Sequence, residues 1–338
     1  MAELYNISEW SEQSWWNTGG TRDKKIYLDP KEGETYFFKQ SFKKGKRDYK
    51  YEFWSEIIAS EIGVLLGFNI LPYHIAIREE TVGCISKSMI DQDSEELIEG
   101  GKYLQAFDNT FNPDDIKLRH QYTFDLILNA LTKFNQEKHL KDLIDTIVFD
   151  ALIGNSDRHQ DNWAIINTHT KPKENKIDIA DPKLDWLKKI LKLVKSSPPL
   201  DLIASQQTRF APIYDSGCSF GRELNDERVR NMLKNGKEIQ KYVKNGKAEI
   251  HWKGNKIDHF ELIGKLLERE DTKNYVLNSI EKVQTKFDIS IINQIIHNVD
   301  DKIRQLNNPN FLPSERKELI VELLTLRFKN IEEIYSQK

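Results

Sequence analysis

The sequence predicts an α+β chain in two lobes, a small β-rich lobe followed by a larger helical one. Two observations carry that reading. Over the first 90 residues, short runs of β-forming residues alternate with turn residues, and a single helical stripe interrupts them. From about Asp91 onward, apolar residues recur mainly three and four positions apart, the period of an amphipathic helix. The lobes are expected at residues 1–90 and 91–338. A β-rich unit set against a helical unit leaves a cleft, and ligand sites favour such junctions.

Taken in order, residues 26–28 predict a short strand, closed by turns at Asp29-Pro30 and Glu32-Gly33. Residues 35–38, Thr-Tyr-Phe-Phe, predict a second strand that ends at Lys39. Residues 53–66 carry Phe53, Ile57, Ile58, Ile62, Leu65 and Leu66 on one helical stripe, with Gly67 as the stop. Residues 70–77 and 81–86 predict two more strands, joined by a turn over 78–80. In the second lobe, 122–131 and 140–152 predict helices, and Gly154-Asn155 breaks the latter. A short strand is expected at 163–166, then a polar stretch over 167–175. A further helix is expected at 183–195, ahead of the breaker Ser196-Ser197-Pro198-Pro199. Residues 258–335 predict three or four amphipathic helices.

Composition excludes several classes of protein. At 338 residues the chain is long enough for two packed lobes, and its 38% hydrophobic and 30% charged residues suit a water-exposed globule. A formal net charge of -3 gives no global basic field, so no direct binding of nucleic acid is expected. Two cysteines, Cys84 and Cys218, exclude a disulfide framework and a multi-cysteine zinc site, and they suit reduced thiols in the cytosol. The opening residues have neither a cationic start nor an apolar core, so no signal peptide is expected. No run approaches 18 apolar residues, so no membrane span is expected either; a cytoplasmic location is expected, with secretion or delivery to a host left open.

The chemistry concentrates in Gly154-Asn155-Ser156-Asp157-Arg158-His159-Gln160-Asp161-Asn162-Trp163. Asp157 precedes Asn162 by five positions, the spacing that protein kinases use in their catalytic loop. The Asp must reach an acceptor hydroxyl while the Asn turns back toward a metal on the phosphate side. A second hard oxygen ligand is then required, because magnesium prefers carboxylate and amide oxygens. Asp215, in Ala211-Pro212-Ile213-Tyr214-Asp215-Ser216-Gly217, supplies it in the shape of the Asp-Phe-Gly element. Lys39 at a strand end and Glu56 on the following helix complete the expected set. The lysine contacts phosphates and the glutamate holds it. Glu52 shares the face of Glu56 and is the runner-up; Glu61 points elsewhere. Gly19, Gly20 and Thr21, in Asn17-Thr18-Gly19-Gly20-Thr21, fit loosely as a loop over the phosphates, though without G-x-G-x-x-G spacing. The adenine is expected around residues 86–90, with Ser86 and Met89 as the contacts.

Each piece alone has an ordinary reading: a chance Asp-to-Asn spacing, a turn aspartate, a surface lysine, a hairpin glycine pair. Their order, in the expected local structures, lifts the catalytic reading above the ordinary ones. His159 reads as a structural residue, bonded to the loop backbone or to Asp215, because no metal-binding pattern accompanies it. Trp163 reads as packing beneath the loop. The absence of G-x-S-x-G disfavours a serine hydrolase, and the absence of G-x-x-x-x-G-K-[ST] excludes a P-loop enzyme.

These segments resemble the bacterial HipA-like serine/threonine kinases, most closely the CtkA type. The likeness rests on G-N-x-D-R-H-x-x-N-W over residues 154–163, A-P-I-x-D over 211–215, and Ser55-Glu56-Ile57-Ile58-Ala59. Phosphoinositide 3/4-kinases share a related D-R-H-x-x-N loop. The resemblance spans about residues 15 to 225, with a looser helical match beyond. It implies a two-lobed protein-kinase-like fold and transfer of the ATP γ-phosphate to protein serine or threonine, with ATP and Mg2+ as cofactors. Metal would sit on Asn162 and Asp215, with Asp157 orienting the acceptor hydroxyl. It also implies autophosphorylation, at Thr18 or Thr21, and admits a toxin role. The chain departs from the pattern at Ser216, where Phe usually sits, and the N-terminal subdomain of full-length HipA proteins is not expected in it, which weakens inference of an antitoxin partner. The 53 positions from Asn162 to Asp215 imply an insertion at about residues 168–207. Within it, Leu184, Leu187, Leu191 and Val194 form an apolar helical face ringed by lysines. That face suits an acidic partner or a membrane surface, or plain packing against the body of the enzyme. Rival readings are a phosphoinositide or small-molecule kinase and a pseudokinase acting as a binding module.

Overall fold

Tyr27, Tyr36, Phe38, Ala76 and Ile85 close over one face of a six-stranded sheet. The computed structural model describes residues 2–13, 24–41, 43–44, 47–112, 115–168 and 207–337. In the first lobe the strands are β1 (Leu4–Asn6), β2 (Ser11–Glu12), β3 (Lys24–Leu28), β4 (Thr35–Lys39), β5 (Lys43–Lys44), β6 (Arg47–Asp48), β7 (His74–Arg78) and β8 (Thr81–Lys87). The main sheet runs in the order β1-β7-β8-β4-β3-β2, and β1 alone pairs in parallel, with β7. Alternation in β4 sends Tyr36 and Phe38 to the aromatic face, a pattern that specifies a half-buried strand. On the other face lies α1 (Glu52–Leu66), which buries Phe53, Ile57, Ile58 and Ile62. The helix stops at Gly67, whose φ of 79° suits glycine.

The strand expected at 70–77 begins only at His74. Pro72 has no N–H to offer a ladder. The residues ahead of it pair instead with the second lobe: Leu71 N–H donates to the Ile213 carbonyl at 2.9 Å, and Ile213 N–H to that of Asn69 at 2.7 Å. Strands β1 and β2 are too short to carry a readable period. Strand β9 (Glu95–Glu99) is rich in glutamate and weak in β-formers, and only pairing with β10 (Ala164–Thr168) makes it a strand. Strand β11 (Gln207–Phe210) completes this second sheet.

The second lobe is helical. It contains α2 (Gly100–Phe107), α3 (Phe124–Lys133), α4 (Leu140–Ile153), α5 (Asp226–Lys234), α6 (Gly236–Asn245), α7 (His259–Leu267), α8 (Glu270–Lys286), α9 (Ile289–Asn298), α10 (Asp301–Gln305) and α11 (Ser314–Ser336). Five helices thus follow Asp258, where three or four are expected from periodicity. Asp258 and Asp288 start two of them by accepting backbone N–H groups. Apolar side chains of α1, α4 and α8 join one continuous core, so the first-lobe helix is packed onto the helical body. The helix expected at 183–195, the breaker at 196–199 and most of the insertion lie outside the described residues, as do Thr18, Gly19, Gly20 and Thr21.

Candidate active site

Helix α4 delivers the loop. It ends at Gly154, whose φ of 72° turns the chain sharply out of the helix. Arg327 of α11 donates from Nη1 to the Ala151 carbonyl at 2.9 Å, so a cation meets the negative end of α4. The loop then winds around Arg158, which is buried. Arg158 binds both oxygens of Asp150, with Nε and Nη2 each 2.9 Å away. Its Nη1 reaches the carbonyls of Asn162 at 2.7 Å and Tyr214 at 2.5 Å, and Nη2 reaches Ser216 Oγ at 3.3 Å. One guanidinium therefore pins the backbone at Asn162 and the residue next to Asp215. Burial disfavours its charge, but the Asp150 carboxylate more than compensates and keeps the arginine protonated.

Asn162 Nδ2 donates to the Asp157 carbonyl at 2.6 Å, which leaves the amide oxygen as the donor atom available to a cation. His159 serves its loop: Nδ1 accepts from Asp161 N–H at 3.3 Å. Trp163 is buried under the loop, stacked on Phe210, and its Nε1 donates to Tyr122 Oη at 3.0 Å. Tyr122 Oη in turn donates to the Arg158 carbonyl at 3.1 Å.

The first lobe brings its lysine to the same place. Lys39 Nζ lies 2.8 Å from Glu56 Oε1 and 2.9 Å from Asp215 Oδ1. Glu56 uses its other oxygen to accept from Ser216 N–H at 2.8 Å, so one carboxylate ties the lysine to the backbone beside Asp215. The hydroxyl of Ser216, where Phe usually sits, accepts from Arg158 Nη2. Burial works against the Lys39 ammonium. The neighbouring Asp215 and Glu56 carboxylates outweigh it and hold its pKa well above the usual lysine value. Glu52, the alternative partner, pairs with Arg222 at 3.4 Å instead. Lys24, directly opposite Lys39 in the β3–β4 ladder, approaches Asp215 Oδ2 at 3.7 Å.

Ser86 lies inside β8, opposite Phe37, and the connection between lobes starts after Lys87. The Met89 carbonyl accepts from Arg209 Nη2 at 2.7 Å, and Arg209 also pairs with Glu95. Among the described residues no cluster of three or more His, Cys, Asp or Glu is arranged to hold a metal by itself. Asn162 and Asp215 supply two hard oxygen donors on neighbouring segments. A magnesium there would complete its shell with phosphate and water oxygens.

No family model and no curated protein matches the sequence. Among solved structures, the chain superposes on the Helicobacter pylori proinflammatory kinase CtkA with a TM-score of 0.73, at 18% identity over 99% of this chain and 97% of that one. The two proteins share a fold. HipA of Shewanella oneidensis MR-1, solved with HipB and operator DNA, superposes at 0.47 with 10% identity, over 94% of this chain and 65% of its own. The golgi casein kinase superposes at 0.35 with 13% identity, over 95% and 72%.

Sequence reasoning gave no role to Asp150, Arg158, Lys24 or Cys218. Asp150 did carry a signal, since it is an acid in the middle of an otherwise apolar helical stripe. Cys218 carried none, because Asp157, the residue its thiol reaches, lies far away in the chain.

Proposed function

We propose that the chain is an ATP- and magnesium-dependent phosphotransferase that modifies serine or threonine hydroxyls of proteins, its own included. The observation that carries this reading is the convergence of Lys39, Glu56 and Asp215 beside the Asp157–Asn162 loop. The fold shared with CtkA, a kinase by description, supports it. Asp157 orients the acceptor hydroxyl and takes its proton as the new O–Pγ bond forms and the bond from Pγ to the ADP oxygen breaks. Asn162 and Asp215 are the residues that would hold magnesium, and Lys39 faces the α- and β-phosphates with Glu56 behind it. Magnesium, when bound, offsets the phosphate charge. The chain itself contributes positioning and fixed charge, which supply most of the rate enhancement in phosphoryl transfer.

The test is incubation of the purified chain with γ-labelled ATP and magnesium, with a basic protein acceptor and, separately, with phosphoinositide vesicles. Label on protein that falls at least about 100-fold in Asp157→Ala and Asp215→Ala supports the proposal. Label on lipid alone transfers the reading to a lipid kinase. Nucleotide binding with no transfer to any acceptor leaves a binding module.

A further inference from the structure

The Asp157 carboxylate is held by a residue outside the expected catalytic set. Cys218 follows Asp215 by three positions, and its thiol donates to Asp157 Oδ2 at 3.2 Å. The Cys218 carbonyl accepts from Ser156 N–H at 3.3 Å, so the same residue also fixes the chain just ahead of Asp157. Behind the sulfur stands Arg222, with Nη2 2.9 Å from Sγ. Its guanidinium is itself fixed, lying 4.0 Å over the Tyr49 ring and pairing through Nη1 with Glu52. Glu52 opens α1, the helix whose Glu56 holds Lys39. Cys218 and Glu52 are buried.

We propose that Cys218 is a positioning residue for phosphoryl transfer. Its thiol, backed by Arg222, locks the Asp157 carboxylate so that the other oxygen, Oδ1, faces the acceptor hydroxyl. The proposal rests on the phosphotransferase reading above. A carboxylate turns readily about its terminal torsion, and a base must present one oxygen at one angle. A donor on Oδ2 removes that freedom. A thiol is a weak donor, but an arginine N–H directed at its sulfur polarises it and strengthens the bond it gives. A thiol is also neutral. A lysine or arginine at this distance would stabilise the charged carboxylate and oppose its taking up a proton. The acceptor's proton passes to Asp157, and Cys218 keeps its own throughout. The series Glu52, Arg222, Cys218, Asp157 also links the helix that sets Lys39 to the residue that sets the acceptor.

The experiment is steady-state kinetics on the full chain with magnesium-ATP and the acceptor that the wild type labels. In Cys218→Ala, kcat is expected to fall about tenfold while KM for ATP stays within about twofold, since only the acceptor side is disturbed. Cys218→Ser, which restores a donor, is expected to recover most of the loss. Arg222→Gln is expected to lower kcat in the wild type and to add little in the Cys218→Ala background, because the two act in series. The role is overturned by wild-type kcat in Cys218→Ala, by a serine variant no better than alanine, by additive losses, or by a KM for ATP that rises as kcat falls. Absence of transfer by the wild type overturns the phosphotransferase reading and this role with it. Transfer that Cys218→Ala leaves intact overturns the positioning role alone.

Discussion

Arg158 carries a charge into a place that water does not reach, and Asp150 is its counterion. Removing one member of such a pair leaves the other desolvated and uncompensated, which costs about 3–5 kcal/mol. Asp150→Ala is therefore expected to lower stability by that amount in urea unfolding, and to abolish transfer because the carbonyls of Asn162 and Tyr214 lose their common anchor. A second buried residue sets a pH dependence. His259 opens α7 fully packed, and its Nε2 finds no hydrogen-bond partner among the described residues. Burial first, and then the nearby Arg327 and Lys256, hold its pKa well below the ordinary 6.5. The unfolded chain takes up a proton near that ordinary value while the folded chain stays neutral. Stability is thus fully present above it and is lost as pH falls below it. The wild type is expected to lose up to about 1.4 kcal/mol per pH unit from this group between pH 6.5 and 5. His259→Gln is expected to flatten that slope, as read from urea midpoints at each pH. An unchanged slope would remove His259 as the cause.

At the scale of elements, the junction between α4 and the loop is the most constrained point. Gly154 adopts a left-handed conformation, and a Cβ there would lie 2.8 Å from the Arg327 guanidinium. Gly154→Ala incurs the left-handed penalty of about 1–2 kcal/mol and also displaces the buried arginine from the end of α4. The expected outcome is a stability loss of at least that size in thermal unfolding, together with reduced transfer. A variant of wild-type stability would show that the junction tolerates a shift. This junction was legible in advance, because a glycine that ends a long apolar stripe signals both the stop and the turn. The same logic located α1, β4 and the turn at Asp215, all of which carry strong periods or turn residues of their own. Strand β9 was not legible, since pairing with β10 overrides the weak β-propensity of its glutamates. The late start of β7 was hidden likewise, because the residues ahead of Pro72 are claimed by Ile213 in the other lobe. Local signals locate elements with strong periods or glycine stops; contacts between distant segments decide the weak strand β9 and the start of β7.

On the scale of the whole molecule, the two lobes meet around one carboxylate. Lys39 at 2.9 Å and Lys24 at 3.7 Å both approach Asp215, and the lysines face each other across the β3–β4 ladder. Like charges set directly opposite in a ladder repel, so this pair is tolerated only with anions between them. Asp215 and Glu56 are such anions, and on the proposed function nucleotide phosphates would add a third. On the proposed function, a magnesium ion at Asp215 would compete with the approaching ammonium groups, so metal alone would bind against their attraction. Phosphate oxygens would offer the lysines a new partner and remove that opposition. Binding of metal and nucleotide should therefore be positively coupled, each tightening the other by the same factor. Lys24→Met separates the two effects by sign. It removes a competitor from Asp215 and, on the proposed function, would remove a partner from the phosphates. The variant is expected to bind magnesium alone more tightly than the wild type and magnesium-ATP more weakly. Thermal unfolding reads this directly, because a ligand at 100 times its Kd adds about 2.7 kcal/mol to stability. The expected record is a larger upward shift in Tm with magnesium alone and a smaller one with magnesium-ATP. Shifts that move in the same direction for both ligands would show that Lys24 acts on the stability of the β3–β4 ladder and not on the charge balance at Asp215.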